Sequence, residues 1–118
     1  MAAQGDNDNW FREADFSTQV RDSGDGTTEV ILAGEFDLST ASDLRECLVR
    51  PEVLEAKRVQ IDLADVTFLD SSSIGLLIAT CKRVRSGGAA FAVTCGSGPA
   101  LRVLQISGLE AYFEVTHD

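Results

Sequence analysis

Between residues 59 and 95 the spacing of apolar side chains switches from two to three or four and back to two, and few architectures accommodate that switch. Val59, Ile61 and Leu63 alternate with Gln60 and Asp62, the mark of a strand buried on one face. Beyond Asp70-Ser71-Ser72-Ser73, the residues Ile74, Leu77, Ile78, Cys81 and Val84 recur at helical steps and stop near Ser86-Gly87-Gly88, which predicts an amphipathic helix. Phe91, Val93 and Cys95 then alternate as a further strand.

The flanking segments extend the pattern. Phe16 to Arg21 and Glu29 to Phe36 are β-prone runs joined by the turn-rich Asp22-Ser-Gly-Asp-Gly26, which predicts a hairpin. Thr40 stands where it can cap a helix carrying Ala41, Leu44 and Leu48 and ending before Pro51. Pro99 opens a last helix through Leu101 and Leu104 to a stop at Gly108, and Ala111 to Val115 reads as a short final strand. The fold class expected is α/β: a mixed sheet that begins with a hairpin, continues through right-handed crossovers and carries its helices mainly on one face. Residues 1–15, rich in Gly, Asp and Asn, read as a flexible leader with Trp10 and Phe11 as its only anchoring groups.

Length and charge narrow the function classes. A chain of 118 residues with 44% hydrophobic content is one domain around one core. Its formal charge of −9 repels a phosphate backbone, so no nucleic acid is expected as a partner. Such charge suits either plain solubility or steering towards a basic protein surface. No run approaches the roughly 20 apolar residues of a membrane span, and the N-terminus lacks the basic and apolar regions of a secretory signal, so no membrane association and a cytoplasmic location are expected. Cys47, Cys81 and Cys95 are odd in number, widely spaced and on apolar positions, which fits small buried hydrophobes in a reducing compartment. No metal-ligand spacing and no cofactor motif is present: neither a GxGxxG nor a GxxxxGK[ST] loop can be read.

Chemistry concentrates at Asp70-Ser71-Ser72-Ser73, between a predicted strand and a predicted helix N-terminus, where free amides and the helix dipole welcome an anion. Taken alone, an Asp followed by serines is ordinary capping. A phosphoryl group is compatible with that role, because one serine can cap while its neighbour points outward, and Ser71 is nearest the loop. Nucleophilic catalysis lacks a base, since the sole histidine, His117, stands beside the chain end and no Gly-x-Ser-x-Gly elbow is present. Asp37 and Asp70 could pair as carboxylates, though loop acids in so acidic a chain are ordinarily solvated caps. No catalytic residue is assigned.

Three segments together resemble the STAS family, named for sulphate transporters and anti-sigma factor antagonists. Gly34-Glu-Phe-Asp-Leu-Ser-Thr40 is similar to the segment joining the second strand to the first helix, and Phe68-Leu-Asp-Ser-Ser-Ser-Ile-Gly75 to the phosphorylation segment. Ile106-Ser-Gly-Leu109 with Tyr112-Phe-Glu-Val115 resembles the end of the third helix and the last strand. The resemblance implies a domain over 16–118 that lacks the further helix with which family members commonly continue. It implies Ser71 as phosphoacceptor, with Ser72 and Ser73 as lesser candidates, and a partner-facing surface containing Asp37, Asp70, Ser71, Ser72 and Ser73. The implied partners are an anti-sigma factor serine kinase, which the unmodified protein captures so as to release a sigma factor, and a PP2C-type phosphatase. One departure is Ser73, which stands where the family usually has glycine. A rival role from the same resemblance is that of an adaptor subunit in a stress-sensing or transporter-associated complex.

Overall fold

The computed structural model describes residues 16–117; the expected leader, with Trp10 and Phe11, lies outside the described residues. Five strands form one sheet in chain order: β1 (Phe16–Asp22), β2 (Thr27–Phe36), β3 (Arg58–Leu69), β4 (Ala90–Cys95) and β5 (Val115–His117). β1 and β2 form the expected antiparallel hairpin, whereas β2 to β5 run parallel. A parallel sheet whose spatial and sequence orders coincide, wound by right-handed crossovers, must carry its connecting helices on the same side. The helices are α1 (Ala41–Leu48), α2 (Pro51–Leu54), α3 (Ser71–Ser86) and α4 (Pro99–Ile106).

The two periodicities of the sequence meet in one core. From the sheet come Val30, Leu32, Val59, Ile61, Leu63, Phe91 and Val93, all with at most 1% of their surface exposed. Leu44, Leu77, Cys81 and Leu104 cover them from the helices. Each fully buried Leu or Val contributes about 1.5–3 kcal/mol through removal of apolar surface from water. The three thiols, Cys47, Cys81 and Cys95, are buried and unpaired, and burial raises each above its ordinary value, so they remain protonated.

The hairpin turn closes through Gly26, whose φ of +90° is open to glycine. A Cβ there would lie 2.9 Å from the Lys57 side chain, while the Gly26 carbonyl accepts the amides of Lys57 and Arg58. Near the other end of β2, Gly34 (φ +93°) lies at a register shift against β3. Such a bulge turns the strand and re-aims the residues after it, Phe36 into the core and Asp37 into the loop.

Three expectations are corrected. Thr40 does not cap α1 with its side chain; its hydroxyl accepts the Asp37 amide at 3.0 Å and donates to the Asp37 carbonyl at 3.1 Å, closing a single 3-10 turn over Leu38–Thr40. Pro51 is a beginning as well as an end, since it occupies the first position of α2, where its missing N–H costs no hydrogen bond. The final strand starts at Val115 and not at Ala111, because 110–114 coil into turns that bury Phe113 completely.

Candidate functional site

Two loops meet at the C-terminal ends of β2 and β3, and the amide of Asp70 donates to the Phe36 carbonyl at 3.2 Å to hold them together. Each loop is organised by an aspartate. Asp37 Oδ1 accepts the Ser39 amide at 2.9 Å and the Ser39 hydroxyl at 2.6 Å. Asp70 Oδ1 accepts the Ser72 hydroxyl at 2.7 Å and the Ser73 amide at 3.1 Å, which makes Asp70 the N-cap of α3.

These bonds favour the ionised form of both carboxylates. The Ser39 hydroxyl is the main cause that holds Asp37 below its ordinary 3.8, against an upward push from desolvation and from the neighbouring Asp70 charge. Desolvation raises Asp70, but the Ser72 hydroxyl and the Ser73 amide outweigh it and the net direction is downward. The Asp70 charge is near enough to Asp37 to push it slightly upward, so the two loops bring their carboxylates to one side of the molecule.

The three serines differ in exposure. Ser71 is exposed, and among the described residues its hydroxyl has no hydrogen-bond partner. Ser72 is half-buried and bound to the cap. Ser73 is fully buried, on the stripe that continues through Leu77, Cys81 and Val84. Its hydroxyl lies close enough to Asp70 to favour the ionised form, yet makes no hydrogen bond of full geometry. Projecting Leu77 and Val84 back along the helix reaches Ser73, so the sequence carried a signal for its burial.

Four further residues belong to this surface although the sequence did not single out their roles. Leu38 and Phe68 are exposed by 77% and 47%, unusual for large apolar side chains, and sit beside Asp37 and just before Asp70. Gly75 lies one turn beyond Ser71 on the same exposed stripe, and a Cβ there would meet nothing within 4 Å. Arg45, on α1, lines a hollow of about 310 Å³ together with Ala41, Ser42, Ser72 and Leu76. Among the described residues no group of three or more His, Cys, Asp or Glu is placed to hold a metal ion, and no helix is long and apolar enough to cross a membrane.

The profile of the STAS domain family matches residues 20–118. The anti-sigma-B factor antagonist of Bacillus subtilis is 32% identical over 88 residues, covering 75% of this chain and 80% of that protein. An anti-sigma factor antagonist from Mycobacterium paratuberculosis is 27% identical, with a TM-score of 0.74 over 85% of this chain and 84% of that one. The anti-sigma factor antagonist SpoIIAA in its unphosphorylated form shares the fold at 18% identity, with a TM-score of 0.71 over 86% of this chain and 88% of that one.

Proposed function

The chain belongs to the STAS domain family, and from that premise we propose that it is a cytoplasmic anti-sigma factor antagonist, a binding switch and not an enzyme. In its unmodified form it captures an anti-sigma factor serine kinase and thereby frees a sigma factor. Transfer of the γ-phosphoryl group of ATP to the Ser71 oxygen, with loss of the hydroxyl proton and departure of ADP, ends the capture. A PP2C-type phosphatase returns the serine by hydrolysis.

The observation that carries this reading is the free, exposed hydroxyl of Ser71 at the first position of α3. The cap is made by Asp70 with Ser72 and Ser73, so modification of Ser71 breaks no bond that holds the helix. An added phosphate sits at the positive end of the helix dipole, where the fold tolerates it. A docked protein does not. One unfavourable unit-charge contact near about 4 Å costs about 4 kcal/mol at an effective dielectric of about 20, nearly a thousandfold in affinity. Exposed Leu38 and Phe68 supply apolar contact beside the charged loop, so release needs no refolding.

The test is incubation with anti-sigma factor kinases and ATP, then mass spectrometric location of the phosphate. Phosphate is expected on Ser71, with Ser71→Ala holding the kinase through conditions that release the wild type. Equal binding by modified and unmodified protein would overturn the reading.

A further inference from the structure

The hollow that contains Ser72 does not end there. Arg45 and Leu76 line both it and a second concavity of about 180 Å³ formed with Leu48, Val49, Leu54, Ala79, Thr80 and Arg83. The two make one furrow between α1–α2 and α3, following α3 from Ser72 to Arg83, or about 16 Å at 1.5 Å per residue. Its floor is apolar, and Val49 on its wall is 50% exposed.

Charge on this furrow opposes that of the rest of the molecule. Arg45 and Arg83 have no carboxylate partner among the described residues, as is also true of Lys57, Arg58, Lys82 and Arg102, but of these cations only Arg45 and Arg83 line the furrow, and no carboxylate lines it. The acids of α1 are segregated from it: Asp43 and Glu46 line a different hollow, against Phe16 and Thr18 of β1. An otherwise acidic chain, at −9, thus presents two unpaired guanidinium groups on an apolar furrow that opens beside the proposed phosphoacceptor.

We propose that this furrow is a second docking surface for the same anti-sigma factor, taking a short amphipathic segment whose apolar side chains fill the furrow and whose carboxylates pair with Arg45 and Arg83. This rests on the function proposed above. The partner therefore presents two unlike surfaces, one that accepts the acidic loop of Asp37 and Asp70 and an acidic, apolar one that lies along α3. Guanidinium groups suit the second because their planar fork binds carboxylates in pairs of hydrogen bonds.

The test uses the full chain and the anti-sigma factor kinase that phosphorylates Ser71. Affinity of unmodified protein is measured by calorimetry at low and high salt for wild type and for Arg45→Glu/Arg83→Glu, with circular dichroism and thermal unfolding confirming that the variant is folded. The expected result is a loss of about tenfold or more in affinity and a changed salt dependence. Arg45→Gln/Arg83→Gln, which keeps most of the side-chain length, is expected to fall between the two. Unchanged affinity in both variants overturns this inference while leaving the Ser71 switch intact. Self-association of the wild type that the variants abolish reassigns the furrow to a second copy of the chain, and overturns it too. Failure of the wild type to bind any such kinase removes the functional reading and this inference with it.

Discussion

Three adjacent serines meet three environments because each step along a helix rotates the side chain by about 100°. Ser71 faces solvent, Ser72 faces the cap and Ser73 faces the core. A buried hydroxyl whose one polar neighbour, Asp70, stands outside full hydrogen-bond geometry is a cost, and alanine removes it while suiting the helix better. Ser73→Ala is expected to stabilise the fold by about 1 kcal/mol in urea denaturation; a loss of stability would mean that the hydroxyl has a partner in solution. Gly75 carries a related lesson. Nothing in the fold requires glycine there, because a Cβ would meet open space, and glycine in a helix carries a conformational cost that alanine would remove.

Among the elements, the turn before β5 holds the clearest strain. Glu114 has φ +52°, a left-handed conformation costing a residue with a Cβ about 1–2 kcal/mol. Its ion pair with Arg85 at 3.3 Å leaves the glutamate side chain 70% exposed and returns little. Glu114→Gly is therefore expected to raise stability by roughly 0.5–1 kcal/mol, read as a higher thermal midpoint; a fall would show that the ion pair outweighs the strain. This same turn escaped the sequence reading, because Tyr112, Phe113 and Val115 fit a strand pattern and the burial of Phe113 by a coil is a tertiary decision. The proline of α2 was hidden for a related reason: a residue that ends one helix and starts the next gives one signal for two events. Alternation at Val59–Leu63 and Phe91–Cys95 and the helical steps of Ile74–Val84 were legible because each reports a single face against a single core. The Arg45–Arg83 furrow was not, since its walls come together only when α1 and α3 pack.

At the scale of the molecule, charge governs the response to acid. A net charge of −9 at pH 7 with a pI near 4.4 means that self-repulsion eases as pH falls, and solubility is lowest near that point. Below it a different effect takes over. Asp37 and Asp70 titrate below their ordinary 3.8 in the fold, so their contribution is complete above 3.8 and is lost as pH falls through the lower folded values. Asp70→Asn keeps a side chain that caps well but does not titrate. It is expected to flatten the stability decline below pH 3.8 in denaturant titrations at fixed pH, whereas an identical decline would place the acid sensitivity elsewhere. Both aspartates lie at one end of the sheet, and the Asp22–Gly26 turn lies at the other, separated by the ten residues of β2, about 30 Å. A dye, an affinity tag or a surface tether introduced through that turn would therefore sit far from the serine loop, giving a handle by which capture and release could be followed on single immobilised molecules.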